Sequence, residues 1–268
     1  MNSNDKFSFR RFWEVTKRDA AMNWRQTAAF MLEITGLLII GLLIIYLQTV
    51  HFIPIADTFQ LWFSTVATIG AYVLASRIFK PLQSKSGSID MLMLPASNAE
   101  KFLARVFNAT VTYVVLTFVV LVAVSILNYL LAFLFGTDDY SSLTWYALKN
   151  VLNNDITSHV ATNNTDISAG VLLFIGTAWT VWIHSSFALG SALWRKFPFV
   201  KTMFVGIVVT VVLLIVIAKT CASFAGNEVE AVKSIFYSIG AVEAALAVSN
   251  WWLAYWLFKR KQVVEIKR

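Results

Sequence analysis

The chain has little of what soluble enzymes and secreted domains need. Of its 268 residues 14% are charged, and it contains one cysteine, Cys221. A single cysteine excludes an internal disulfide. No glycine is followed by lysine, so the G-x-x-x-x-G-K-[ST] loop that binds ATP is absent. His51, His159 and His184 stand in separate segments and form no H-E-x-x-H metal motif. We therefore expect no catalytic residue, no metal site and no cofactor bound by this chain.

Long apolar stretches are what the sequence has instead. Hydrophobic residues make up 58% of the chain, and its mean hydropathy is +0.67, more than a soluble domain of this size tolerates. A run of about 20 apolar residues forms a helix that crosses the bilayer core of about 30 Å. The pattern predicts an all-α, polytopic membrane protein. Its six transmembrane helices are expected at 28–48, 58–79, 104–135, 168–194, 200–222 and 236–258.

Lysine and arginine lie almost entirely on one side of these spans. Of the 22 residues, 19 fall in segments 1–27, 77–105, 195–201 and 259–268. Positive residues favour the cytoplasmic side of a membrane. We therefore expect both termini in the cytoplasm. The net charge of +7 is explained by contact with anionic membrane lipids and requires no nucleic acid.

Three parts follow from this topology: an N-terminal segment at 1–27, a transmembrane domain at 28–258 and a basic tail at 259–268. In the N-terminal segment, apolar residues recur at helical spacing between Phe9 and Ala20, while the basic residues take other faces. This pattern predicts an amphipathic helix on the inner leaflet, before the chain turns into the first span. The helix would serve either as an anchor or as an elbow that transmits motion from a partner.

The cytoplasmic loop 80–105 carries a second pattern. An apolar patch at 91–94 ends at Pro95, and Ser97 with Glu100 three residues later has the sequence of a helix capping box. Apolar side chains in such a loop either dock into a partner's groove or fold back on the protein's own helices. The candidate partner-contact residues are Met91, Leu92, Leu94, Pro95, Ser97, Glu100, Lys101 and Phe102.

The sequence LPAS at 94–97, followed by EKF at 100–102, resembles the element between the second and third spans of six-helix ABC exporter permeases of the second-type class. The segment 182–187, with Gly190, is similar to relatives of that class from Bacteroidetes-type bacteria. In that class the loop contacts a separate ATPase subunit, which binds the ATP. The resemblance implies a permease subunit in the inner membrane of a bacterium, without enzymatic activity of its own. This subunit would work with an ATPase and with a second permease copy or a sister permease.

Three ionisable residues lie inside the predicted spans: Glu33, His184 and Glu243. A charge within the bilayer costs about 2.5–3.5 kcal/mol, so each of them needs a reason. Arg77 and Lys219 are candidate partners for the two glutamates. The alternative is a path for protons through all three residues, as in a proton-coupled secondary transporter. A third interpretation is a membrane scaffold or assembly protein that transports nothing.

Small residues spaced four apart predict faces of close helix packing. Both packing within one chain and contact with a second copy fit this pattern. The residues are Ala71 and Ala75 in the second span, Ser186 and Gly190 in the fourth, and Gly240 and Ala244 in the sixth.

Overall fold

The structure, a computed structural model, describes residues 7–48, 55–83, 85–136, 142–153, 169–223 and 229–264. These residues form helices joined by short turns, and no strand occurs among them, which confirms the all-α prediction. The helices are α1 (Phe9–Gln48), α2 (Ile55–Ala75), a 3-10 turn (Lys80–Gln83), α3 (Lys85–Leu92), α4 (Asn98–Phe107), a π-helical segment (Asn108–Thr112), α5 (Tyr113–Phe135), α6 (Leu143–Asn153), α7 (Ala169–Leu193), α8 (Pro198–Ser223) and α9 (Val229–Val264).

Four helices in the described part of the chain are long and apolar enough to cross a membrane. They are α1, α2, the continuous helix made by α4, the π segment and α5, and α8. These helices indicate a membrane-embedded protein. α7 and α9 match the fourth and sixth predicted spans but are not among these four. The six-span topology therefore stays a prediction.

α1 is one helix of 40 residues that joins the N-terminal segment to the first span. The sequence predicts a separate amphipathic helix over 7–26 followed by a turn, and this separation is not confirmed. No proline or glycine precedes Gly36, so nothing local breaks the helix. Phe12, Val15 and Thr16 are buried, the first two in a cluster with Ala104 of α4. Part of the apolar face of the segment thus covers protein, whereas Phe9 and Trp13 remain exposed.

Part of the segment 136–167, which connects the third and fourth predicted spans, is helical. Leu143 and Ala147 of α6, spaced four apart, are buried in a core shared with α1, α2 and α5. The Tyr146 hydroxyl donates to the carboxylate of Asp57 at the start of α2. This short helix closes one end of the core. The spacing of its apolar residues is typical of a helix, although the sequence interpretation treated this segment as a loop.

α7 and α9 form the most extensive helix pair in the described structure. The Asn250 side-chain amide donates to the hydroxyl oxygens of Ser186 at 2.9 Å and Ser185 at 3.2 Å. Hydrogen bonds of this kind between membrane helices contribute about 0.6 kcal/mol on average. Gly240 lies so close to the ring of Phe174 that a Cβ there would collide with it. The predicted contacts of Ser186 and Gly240 therefore occur within one chain.

The other small residues also lie at or near helix contacts. Ala75 is fully buried in the cluster that joins α2 to α7 and α9, and Gly190 of α7 lies directly against the Thr202 side chain of α8. Ala71 and Ala244 are half-buried. Small residues let the side chains of a neighbouring helix pack closely. The resulting van der Waals contact holds membrane helices together, because lipid supplies no hydrophobic driving force between them.

We expect Gly190→Ala to destabilise the helical bundle, because the added Cβ would collide with Thr202, a buried β-branched residue with little rotamer freedom. Overpacking of this kind costs about 1–3 kcal/mol. Gly176→Ala on the same helix is the matched control, since nothing lies within 4 Å of the position that its Cβ would take. Thermal unfolding in mild detergent should show a lower Tm for Gly190→Ala and an unchanged or higher Tm for Gly176→Ala. Equal Tm values for the two variants would contradict the packing argument.

Candidate functional site

The apolar patch of the 80–105 loop is divided between the interior and the surface. Met91 is 3% exposed and packs in the cluster that contains Phe79, and Leu94 is half-buried. Met93 is 77% exposed and Ile89, one turn earlier on α3, is 49% exposed. The Leu92 side chain lies outside the described residues. We call Ile89 and Met93 the apolar tip, since they are large apolar side chains that reach the surface just before the start of α4.

The predicted capping box at the start of α4 is confirmed. The Ser97 hydroxyl accepts a hydrogen bond from the Glu100 backbone N–H at 3.3 Å, and Glu100 Oε2 accepts from the Ser97 backbone N–H at 2.8 Å. The two contacts satisfy backbone donors that have no partner within the helix. They set the point at which the chain leaves Pro95, which is exposed, and enters α4.

The other oxygen of Glu100 binds the beginning of α1. Glu100 Oε1 accepts from the Ser8 backbone N–H at 2.6 Å and from the Arg11 guanidinium at 3.0 Å for Nη2 and 3.3 Å for Nε. The Glu100 side chain is fully buried, whereas that of Arg11 is 30% exposed. A buried carboxylate needs such donors, because an unpaired one would lose several kcal/mol of hydration. Sequence reasoning identified Glu100 as a cap but missed this second partner.

A second polar contact joins α1 to α4 two turns further along. Asp19 forms an ion pair with Arg105 at 3.1 Å and accepts from the Asn108 side-chain amide at 3.0 Å. Arg105 also donates to the Ile78 carbonyl, at 3.3 Å, beyond the end of α2. We call the contacts of Glu100 and Asp19 with their partners the α1–α4 clamp. Asp19 is one of two acidic residues, with Glu14, in a segment 7–26 rich in arginine and lysine, and this was the available signal for a specific partner.

Phe102 connects the same region to the end of α9. Its ring stacks on Phe79 at 5.5 Å and meets Tyr255 and Phe258 edge-on at 5.3 and 5.7 Å. Aromatic pairs at these separations add about 0.5–1.5 kcal/mol each beyond the area that they bury. Phe102 and its neighbour Lys101 are 6% and 4% exposed. Glu100, Lys101 and Phe102 thus lie inside the protein, and Phe102 shares a core cluster with Met91, which lies between Ile89 and Met93 in the chain.

A cavity of about 520 Å³ lies between α2, α5 and α7, a size typical of small-molecule sites. Its lining is mainly apolar. The ring of His184 lies 5.8 Å from that of Trp251, and both line the cavity. Thr110 of the π-helical segment also lines it, and π-helical turns occur frequently at functional sites. Further lining residues include Phe63, Ala71, Tyr72, Thr117 and Leu121.

The three ionisable residues of the predicted spans do not meet at this cavity. His184 lines it, whereas Glu33 is exposed on α1 and Glu243 is buried on α9, and neither glutamate is part of its lining. No ion pair among the described residues includes Glu33 or Glu243. Arg77, one of the candidate partners, instead lies over the ring of Phe30 at 5.4 Å. Within the described part of the chain, this arrangement supplies no continuous proton path through the three residues.

Comparison with the models of known protein families, with curated proteins and with solved structures found no match to this chain. A function therefore has to be inferred from the geometry of this molecule. Its described residues hold no cluster of three or more histidine, cysteine, aspartate or glutamate side chains that could bind a metal ion. The features that point to a function are the apolar tip, the α1–α4 clamp and the cavity lined by His184.

We expect Glu100→Ala to lower the free energy of unfolding by about 3–5 kcal/mol, because it leaves Arg11 and two backbone donors without their shared acceptor. Glu14→Ala is the control: its ion pair with Lys17 spans 3.6 Å between exposed side chains and contributes little. Thermal unfolding and limited proteolysis near the N-terminus provide the measurements. The clamp is refuted if Glu100→Ala and Glu14→Ala unfold at the same temperature with the same cleavage rate.

Proposed function

We propose that this chain is the membrane-spanning permease subunit of an ATP-driven exporter of the ABC type. In this proposal six helices cross the inner membrane of a bacterium, both termini lie in the cytoplasm, and a separate ATPase subunit binds and hydrolyses the ATP. The chain itself carries out no covalent chemistry. A second permease copy or a sister permease completes the translocation path.

The observation that carries the proposal is the apolar tip on a firmly supported loop. Ile89 and Met93 are exposed at 49% and 77%, and exposed apolar side chains outside a membrane are typical of protein contacts. The support matters as much as the exposure. Because Glu100 is held by α1 and Phe102 by α9, a push on the tip would reach both helices. A loop with this construction can convert the motion of a partner into helix movement.

The cavity supports another part of a transport role, which is to bind a substrate. Its mainly apolar lining suits an amphiphilic molecule, with His184, Thr110 and the nearby Trp251 available for polar contacts. The cavity borders α7, and α7 packs on α9, the helix that Phe102 contacts from the loop. The loop and the cavity are thus connected through packed side chains, which provide a physical route for coupling between them.

The exposed surface of α8 supports the proposal of a second permease chain. This helix is the least buried of the four apolar helices, with 6% of its most apolar stretch covered by the rest of the described protein. Lipid alone can cover such a face. A translocation path between two permease subunits would also require an uncovered helix face on each subunit. The small-residue contacts already engaged inside the chain, at Gly190 and Gly240, are not available for this purpose.

The test is purification of the tagged chain from its native membranes in mild detergent. The purified material is then assayed for an ATPase subunit that carries the ATP-binding G-x-x-x-x-G-K-[ST] loop. We expect Met93→Asp to weaken the association about 30-fold, since a central apolar contact contributes about 2 kcal/mol or more. Met93→Leu should retain the ATPase. Phe197→Asp is the matched control, because Phe197 is 75% exposed in the turn between α7 and α8. The proposal fails if no ATPase is recovered, or if Phe197→Asp weakens its recovery as much as Met93→Asp does.

A further inference from the structure

A second cleft, of about 420 Å³, lies between α1 and the segment that follows α2. Its walls change character along their length. Phe30 and Leu74 belong to the apolar helices α1 and α2, whereas Lys80 and Asp90 belong to the polar connection beyond α2. A cleft that runs from apolar helix faces to charged side chains at the end of a span matches the two halves of a membrane lipid.

The charges of the cleft leave a positive excess. Three cationic side chains, Arg77, Lys80 and Arg105, line it together with two acidic ones, Asp19 and Asp90. Asp19 is already engaged by Arg105 at 3.1 Å and by the Asn108 amide at 3.0 Å. Its negative charge is therefore compensated and does not repel an incoming anion.

Arg77 and Lys80 have free capacity for such an anion. Both are exposed, and neither forms an ion pair with the described residues. The Arg77 guanidinium lies over the Phe30 ring at 5.4 Å, which holds its charge at the border between the apolar and polar walls. The Nε of Arg105 is buried and has no hydrogen-bond acceptor among the described residues. A buried N–H of a charged group without an acceptor is costly, so this atom also calls for one.

We propose that this cleft binds the phosphate of a phospholipid headgroup between Arg77 and Lys80, with the acyl chains lying along Phe30 and Leu74. Arginine and lysine form charge-assisted hydrogen bonds with phosphate oxygens, and these bonds are about twice as strong as those between neutral groups. Asp90 is exposed, so water screens its charge from the bound phosphate. The site is independent of the exporter proposal, because it requires only a membrane that contains phospholipid.

The test measures phosphatidylglycerol bound to the full chain in detergent by native mass spectrometry. We expect one retained lipid in the wild type and about 30-fold weaker binding in the double variant Arg77→Gln/Lys80→Gln, since each basic side chain near a lipid surface contributes roughly a factor of five. Lys259→Gln/Arg260→Gln is the matched control: it removes the same charge, and Arg260 likewise lies over an aromatic ring, that of Trp256, at 3.6 Å. This control should bind the lipid as the wild type does.

Two further probes identify the ligand chemistry. Diacylglycerol, which has the chains but no phosphate, should not compete for the site, and neither should inorganic phosphate at millimolar concentration. Competition by inorganic phosphate would overturn the lipid assignment in favour of a free anion, and competition by diacylglycerol would overturn the role of the two basic residues. Equal loss of binding in both double variants would show a general charge effect and would contradict the proposal. Lys80→Gln alone, at an exposed position, provides the same comparison should the double variant fail to fold.

Discussion

Much of the packing around α4 follows from one buried carboxylate, that of Glu100. Its two oxygens receive hydrogen bonds from Ser97, Ser8 and Arg11, which belong to different parts of the chain. A carboxylate with no exposed surface is stable only with its donors in place, so α1 and α4 must dock together. The position of the apolar tip follows from that docking, because the tip directly precedes the capped start of α4.

Different forces hold the apolar helices and the polar joint together. Between α7, α8 and α9 the contacts are side chains packed directly against Gly190 and Gly240 and the hydrogen bonds of Asn250. Such contacts are expected where lipid gives no hydrophobic advantage to helix contact. Near α1 and α4, ion pairs and an aromatic cluster around Phe102 take over. The loop is therefore joined to α1 and α9 by charged and aromatic contacts, whereas α7, α8 and α9 are held together by smaller contacts.

The sequence predictions succeeded where the residues that form a feature are close together in the chain. The capping box of Ser97 and Glu100 could be read directly, because neighbouring residues at the start of one helix form it. The contact between Glu100 and Arg11 spans 89 positions and leaves no periodic pattern. The patch at 91–94 illustrates the same limit: Met91 and Met93 have the same side chain, yet one is buried and the other exposed. Which of them faces the interior depends on where Phe79 and α9 lie.

The helical, membrane-embedded character of this protein can be read from its residues alone, since the length and apolar character of the stretches leave few alternatives once backbone groups must be satisfied within lipid. The helix start at Ser97 can be read in the same way. Only the packed molecule reveals that α1 continues unbroken from Phe9 to Gln48, that Glu100 and Phe102 are internal, and that His184 lines a cavity which Glu33 and Glu243 do not reach. The reason is that burial and charge pairing depend on helices distant in the chain, and their relative placement is not encoded in any one segment.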